Sequence, residues 1–214
     1  MYGGEIVNES YYKLTLEKQN KIINAGYKAF ALYSYKKASM SYIADEANIS
    51  KSLLFYYFKN KKEYYLFLFD NAIQFIKNHK KQYASDKKQD LFDLVNNTIE
   101  FRMEMLYSFP YAYRFITKAY YEIYSELDDE LSIRKNKMIH IGKDEILDIV
   151  EYDRLKNPCD MKNLINMIFY IADGCMRGRE ELNITQINEI IIDFKNMMES
   201  LKKNYYKEEY LLNK

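Results

Sequence analysis

Residues 39–61, SMSYIADEANISKSLLFYYFKNK, constrain this chain more than any other stretch. Met40, Ile43, Ala44 and Ala47 recur at i, i+3, i+4 and i+7, one stripe of a short helix for which Ser39 is the N-cap. Asn48 accepts the left-handed backbone that closes a helix, so Asn48-Ile49 reads as a tight turn with Ile49 tucked inward. Ser50 caps a second helix, Lys51 to Tyr57, with Leu54 and Phe58 available to the core. Two short helices across a three-residue turn make a helix-turn-helix, whose second member can be laid in a DNA major groove.

That geometry assigns roles. Lys51, Ser52 and Leu53 occupy the first turn of the second helix, where lysine donates to guanine acceptors and leucine touches a thymine methyl. Tyr56 projects beside them with its hydroxyl in reach of a phosphate, and Ser50 and Phe55 complete the candidate DNA-facing set. Ser39, Ser41 and Lys61 stand at helix starts, where free N–H groups and the helix dipole favour an anion. For each serine a capping role is an equal reading; for Tyr57 and Phe58 the core reading is favoured.

A family pattern runs through Ile22, Ala25, Phe30 and Tyr35, then Ser39, Met40, Ile43, Ala44, Ala47, Ile49, Ser50, Lys51, Leu54, Tyr57, Phe58, Lys61 and Glu63. In these residues the chain resembles the tetracycline-repressor (TetR) family of bacterial transcriptional regulators over about its first third. It departs from the pattern at Ser34 and Asn48, where glycine is usual, and at Ser52-Leu53, where Gly-Thr is frequent. Phe55 stands where a tyrosine often reaches the DNA backbone.

Composition agrees with an all-α chain, because two prolines and six glycines in 214 residues leave little material for a turn-rich β architecture. The net charge of +1 conceals an asymmetry: residues 11–80 carry twelve lysines against five acids, whereas residues 81–214 carry a net of −4. A basic N-terminal third on an acidic remainder is the footprint of a nucleic-acid reader, although lysines that merely solvate helix faces give the same count. Neither a signal peptide nor a run of ~20 apolar residues is found, so a cytoplasmic protein without membrane attachment is expected. Cys159 and Cys175 lack a C-x-x-C spacing and read as reduced, buried thiols.

In order, residues 1–14 read as a tail, 15–60 as the helix-turn-helix domain, 61–80 as a connector helix and 81–214 as a helical ligand-binding and dimerisation domain. The first helix starts at a Thr15 cap and reaches about Ser34, with Gly26 marking the close approach of another backbone. Asn60 and Glu63 approximate a capping box for the connector, whose run YYLFLF is apolar all round and so must be packed on more than one side. Helices follow at Leu91–Ser108, Pro110–Tyr124, Ser125–Asp153, Asp160–Leu182 and Gln186–Tyr206, with the tail from residue 202 onward frayed.

Gly174 and Gly178 fall one turn apart, and two mid-helix glycines at ~1 kcal/mol each need a packing reason. The last helix offers Ile187, Ile191, Phe194 and Met198 on a wide apolar face. The resemblance implies that these two helices form a four-helix interface in a homodimer, and dimerisation matches a palindromic double-stranded operator with half-sites about one DNA turn apart; internal packing alone is the alternative. The resemblance also carries the expectation of a small apolar or amphipathic effector. Phe101, Met105, Tyr113, Ile116 and Tyr120, with Met138, Ile141, Phe169 and Asp173, are the candidate lining, against the alternative of plain core packing. No pairing of nucleophile and base, metal-ligand spacing or phosphate loop stands out, so neither an enzyme nor a cofactor is expected.

Overall fold

Polar side chains set the helix starts of the N-terminal region. The Thr15 hydroxyl accepts from Lys18 N–H and opens α2 (Leu16–Leu32). Ser39 accepts from the N–H groups of Ser41 and Tyr42 and opens α3 (Met40–Glu46). Ser50 accepts from Leu53 N–H at 3.1 Å and opens α4 (Lys51–Phe58). Asn60 does the same for Glu63 N–H at 2.9 Å at the start of α5 (Lys61–Lys81). Between α3 and α4, Asn48 adopts φ 56°, the left-handed turn its side chain tolerates. Lys59 also has φ 56°, a conformation nothing in its residue type announces.

These elements come from a computed structural model, which describes residues 7–81, 88–121, 126–177, 179 and 183–211. The rest of the order is α1 (Glu9–Tyr12) ahead of α2, then α6 (Leu91–Ser108), α7 (Pro110–Tyr121), α8 (Asp128–Ile149), α9 (Met161–Met176) and α10 (Ile184–Tyr205), with short 3-10 turns. Among the described residues there is no strand, only two isolated bridges. Packing divides the chain into two compact units, residues 1–83 with 105–135, and residues 84–104 with 136–214. This division differs from a boundary at residue 80.

In the first unit, α5 is buried on several sides, as its apolar run requires: Tyr64, Tyr65, Leu66, Leu68 and Phe69 are all inside. Gly26 of α2 lies under this helix, but what approaches it is side chain, the Tyr64 ring and hydroxyl and the Leu68 methyl, where the sequence suggested backbone. The Tyr64 hydroxyl donates to Ile22 C=O at 2.5 Å, which fixes it in place. α7 lies along α2, with the Phe115 ring 5.3 Å from Tyr27 and buried Lys118 donating to Ala31 C=O.

Two terminal segments depart from expectation. Residues 1–14 read as a tail, yet Tyr11 is buried, with ring contacts to Tyr57, Phe58 and Phe67, and Asn8 N–H donates to Tyr57 C=O at 2.9 Å. One large aromatic suffices to dock a four-residue helix, and a single anchor leaves no periodicity in the sequence. The Tyr11 hydroxyl is enclosed without a hydrogen-bond partner among the described residues, and burial holds its ionisation well above the ordinary range. Tyr11→Phe should therefore stabilise the protein by about 1 kcal/mol, since an unpaired buried hydroxyl is removed at constant shape. A urea midpoint that falls instead would show that this hydroxyl is bonded.

The second unit holds the other departure. Residues after 201 read as frayed, but Tyr206 is fully buried against Phe92, the ring centroids 5.1 Å apart. Lys156 N–H donates to Tyr205 C=O and Lys207 N–H to Arg154 C=O, so the segment closing α10 is stitched to the loop after α8. Asp90 caps α6 through Phe92 and Asp93 N–H and, nearly buried, pairs with Arg154 at 3.1 Å. Arg154→Ala should cost about 2 kcal/mol, below the ~3–5 kcal/mol of a wholly buried pair because Arg154 is partly exposed. Adding Asp90→Asn should recover part of that loss, as read by urea titration; no recovery would exclude stranded charge as the cause. α8 stops at Ile149 rather than near Asp153 because Gln89 and Val150 pair there, and α10 starts earlier than expected because Asn183 and Gln186 form a full capping box.

Candidate nucleic-acid interface

The helix-turn-helix is held by its own core. Ile43, Ala44 and Ala47 of α3 and Leu54, Tyr57 and Phe58 of α4 are buried with Ala29 and Phe30 of α2. Lys28 on α2 pairs with Glu46 on α3 at 2.5 Å, a partly exposed bridge between those helices.

On this support the predicted residues divide by what they already touch. Lys51, Ser52 and Tyr56 are exposed, Tyr56 at 55%. The Lys51 ammonium stands 6.0 Å from the Phe55 ring, so its position on α4 is biased without being fixed. The Ser50 and Ser52 hydroxyls lie 3.0 Å apart, and Ser50 and Ser39 are engaged as caps. Leu53 and Phe55 are half-buried and pack against the core, leaving each only an edge for a partner. Lys61, expected at a phosphate, donates instead to Lys36 C=O at 3.2 Å and sits 4.8 Å from the Tyr35 ring. Desolvation lowers its pKa. Lys36, Lys37 and Lys59 are exposed.

One residue here escaped the sequence reading. The Ser10 hydroxyl lies 3.2 Å from the Tyr56 hydroxyl, across 46 residues of chain. No spacing rule connects them.

The residues expected to line an effector site are distributed over both units. Met105, Tyr113, Ile116 and Tyr120 belong to the first; Phe101, Met138, Ile141, Phe169 and Asp173 belong to the second. Met105 and Phe101 are buried, the others half-buried. Asp173 is held by Arg177 at 2.7 Å, one turn along α9. Two surface recesses occur in the second unit. One, of about 250 Å³, is lined by Phe92, Asn96, Glu100, Lys195, Met198 and Glu199. The other, of about 510 Å³, is lined by Lys88, Tyr152, Arg154, Tyr210 and their neighbours. Neither includes an expected lining residue.

Of the expected dimer residues, Phe194 and Met198 are buried in the core of the second unit, while Ile187 and Ile191 are half-buried. Space for a Cβ at Gly174 is open, and Tyr170, one turn before it, is 70% exposed. Gly178 lies outside the described residues. Cys159, read as buried, is exposed because the 3-10 turn Pro158–Asp160 carries it at the surface; burial pushes the Cys175 thiol up.

Residues 39–58 thus form a capped helix-turn-helix with a core of its own. Residues 22–66 match the family model of bacterial regulatory proteins, tetR family. The uncharacterized HTH-type transcriptional regulator YhgD of Bacillus subtilis (strain 168) is 30% identical over 73 residues, 34% of this chain and 36% of that protein, so the chain matches about a third of that relative's length. Over nearly its whole length the fold is that of a TetR family transcriptional regulator from Chloroflexus aurantiacus J-10-FL, with TM-score 0.60, 17% identity, and 94% of this chain and 99% of that one covered. A tetR-family transcriptional regulator from Streptomyces coelicolor gives TM-score 0.55 and 15% identity over 89% and 84% of the two chains. Residues 22–66 thus match the tetR family model, and the chain as a whole has the fold of these two solved regulators. Among the described residues, no helix is long and apolar enough to cross a membrane.

Proposed function

We propose that this protein is a sequence-specific DNA-binding regulator that acts as a homodimer and represses by occupying its operator. The observation that carries this reading is α4: its first turn presents Lys51 and Ser52 outward while Leu54, Tyr57 and Phe58 anchor the opposite side. Such a helix contacts too few base pairs alone, and a twofold pair of them fits an inverted repeat with half-sites about 34 Å apart. The exposed apolar residues Tyr170 on α9 and Ile184 and Ile192 on α10, with the open space at Gly174, support a second copy as their partner. Release by a small apolar or amphipathic ligand rests on the family likeness and on the aromatic and methionine side chains of α6 to α9. Such a ligand acts only through unequal affinity for two states.

A second reading is the same regulator controlled by a protein partner or by abundance; the two recesses described above are not lined by the expected effector residues. Selection of duplexes from a randomised pool by the full chain, with sedimentation of the free protein, tests the main reading. An inverted repeat and a dimer at micromolar concentration are expected; a monomer, or an enriched motif without symmetry, would refute it. A thermal-shift screen of small amphipathic molecules separates the two modes of control, since only the first predicts a hit that also alters duplex affinity.

A further inference from the structure

We infer that the Ser10 and Tyr56 hydroxyls form one phosphate-binding pair, which makes the segment before the helix-turn-helix part of the DNA-reading surface. The inference rests on the DNA reading above and adds a contact that the helix-turn-helix does not contain.

Three observations place Ser10 beside the recognition helix. Tyr11, buried among Tyr57, Phe58 and Phe67, anchors α1 on the end of α4. Asn8 N–H donates to Tyr57 C=O at 2.9 Å, and the Asn8 side chain accepts from Ser10 N–H at 2.9 Å, so the backbone on either side of Glu9 is fixed. The Ser10 Oγ and Tyr56 Oη then meet at 3.2 Å, within hydrogen-bond distance, at a site open to solvent. Tyr57 and Phe58, the next two residues of α4, are buried, so the α4 backbone beneath Tyr56 is rigid.

The chemistry follows from the hydroxyl inventory. Each hydroxyl has one hydrogen to donate and can accept. When one donates to the other, the acceptor's own hydrogen is left over, and its polarity is increased by the bond it receives. The pair therefore presents a single aimed O–H, suited to one non-bridging oxygen of a DNA phosphate, a bond strengthened by the anion's charge. Ser10 also restrains the Tyr56 phenol, whose ring is otherwise met by that of Tyr57. Ser10 thus acts in two ways: as a contact, and as a positioning residue for Tyr56.

The test measures duplex affinity of the full chain by fluorescence anisotropy, using a duplex selected by the wild-type protein and a range of salt concentrations. Ser10→Ala and Tyr56→Phe should each weaken binding roughly tenfold, the scale of one charge-assisted hydrogen bond. The double variant should lose little more than either single one, because the two hydroxyls act as a unit. Ser10→Thr should restore affinity. Since no cation is removed, the slope of log K against log salt should stay at its wild-type value, whereas Lys51→Ala lowers it by about 1. Urea midpoints of the Ser10 and Tyr56 variants should match wild type. Wild-type affinity in Ser10→Ala, or losses that simply add, would overturn the paired site alone. A wild-type chain that binds no duplex would overturn the DNA reading and this inference with it.

Discussion

Lys51→Ala combined with Tyr56→Ala should abolish specific duplex binding while leaving the protein folded and its association unchanged. Both side chains are exposed on α4, and neither lies in the buried core of its unit. A good base-edge contact is worth ~1–3 kcal/mol and a charge-assisted bond to phosphate a similar amount. Their joint loss therefore amounts to roughly 100-fold or more in affinity. Residual binding should be weak, steeply salt-dependent and indifferent to sequence, because Lys36, Lys37 and Lys59 remain. Anisotropy titrations with the selected duplex and a scrambled one check this. Unchanged discrimination between the two would mean that α4 is not the reading element.

The second large effect is one of stability. Gly26→Ala would ordinarily favour a helix interior by ~1 kcal/mol, but here the sign should reverse. A Cβ at this position would overlap the Tyr64 hydroxyl and lie 2.5 Å from the Leu68 methyl and 2.8 Å from Tyr64 Cζ. Tyr64 cannot yield cheaply, because its hydroxyl is bonded to Ile22 C=O and its ring is wholly buried against Phe58. Overpacking of this kind costs ~1–3 kcal/mol, and the rigidity of Tyr64 places this case near the upper end. Chemical denaturation should show a loss of about 3 kcal/mol. Adding Tyr64→Phe should recover part of it by removing the overlapping oxygen. A stabilised Gly26→Ala would mean that α2 and α5 separate readily.

Both expectations depend on features of unequal visibility in the sequence. The capping residues Thr15, Ser39, Ser50 and Asn60 are legible because a cap is a local interaction between a side chain and an N–H two or three residues on. Asn48 is legible for the same reason, since its turn needs only its own conformational tolerance. Gly26 announces a close approach, but glycine identifies the space and not its occupant, so side chain rather than backbone had to be learned from the fold. Tyr11 and Tyr206 were not legible. Each is one buried aromatic in a largely polar segment, docked through contacts to residues far away in the chain, and period-based reading gives such segments no weight.

The candidate site follows the same rule. That Lys51, Ser52 and Tyr56 lie on the outer side of α4 is legible because helical spacing from Ser50 dictates which residues point away from the core. The contact Lys61 makes with the Lys36 carbonyl was not legible, because that partner is 25 residues distant. Ser10 was missed because 46 residues separate it from Tyr56. Phe194 and Met198 share a face with Ile187 and Ile191, and the wide stripe did not say which part the chain covers itself; the fold places the first two in the core of the second unit.

The central claim is that α4 and the lysines around it grip a duplex through its grooves and phosphates. Its most direct measurement is the affinity of the full chain for its selected duplex as the salt concentration is raised. Log K should fall linearly with log salt, steeply enough to report several neutralised phosphates, and the slope should be shallower by about 1 for Lys51→Ala. A flat dependence, or a slope that Lys51→Ala leaves untouched, would contradict it.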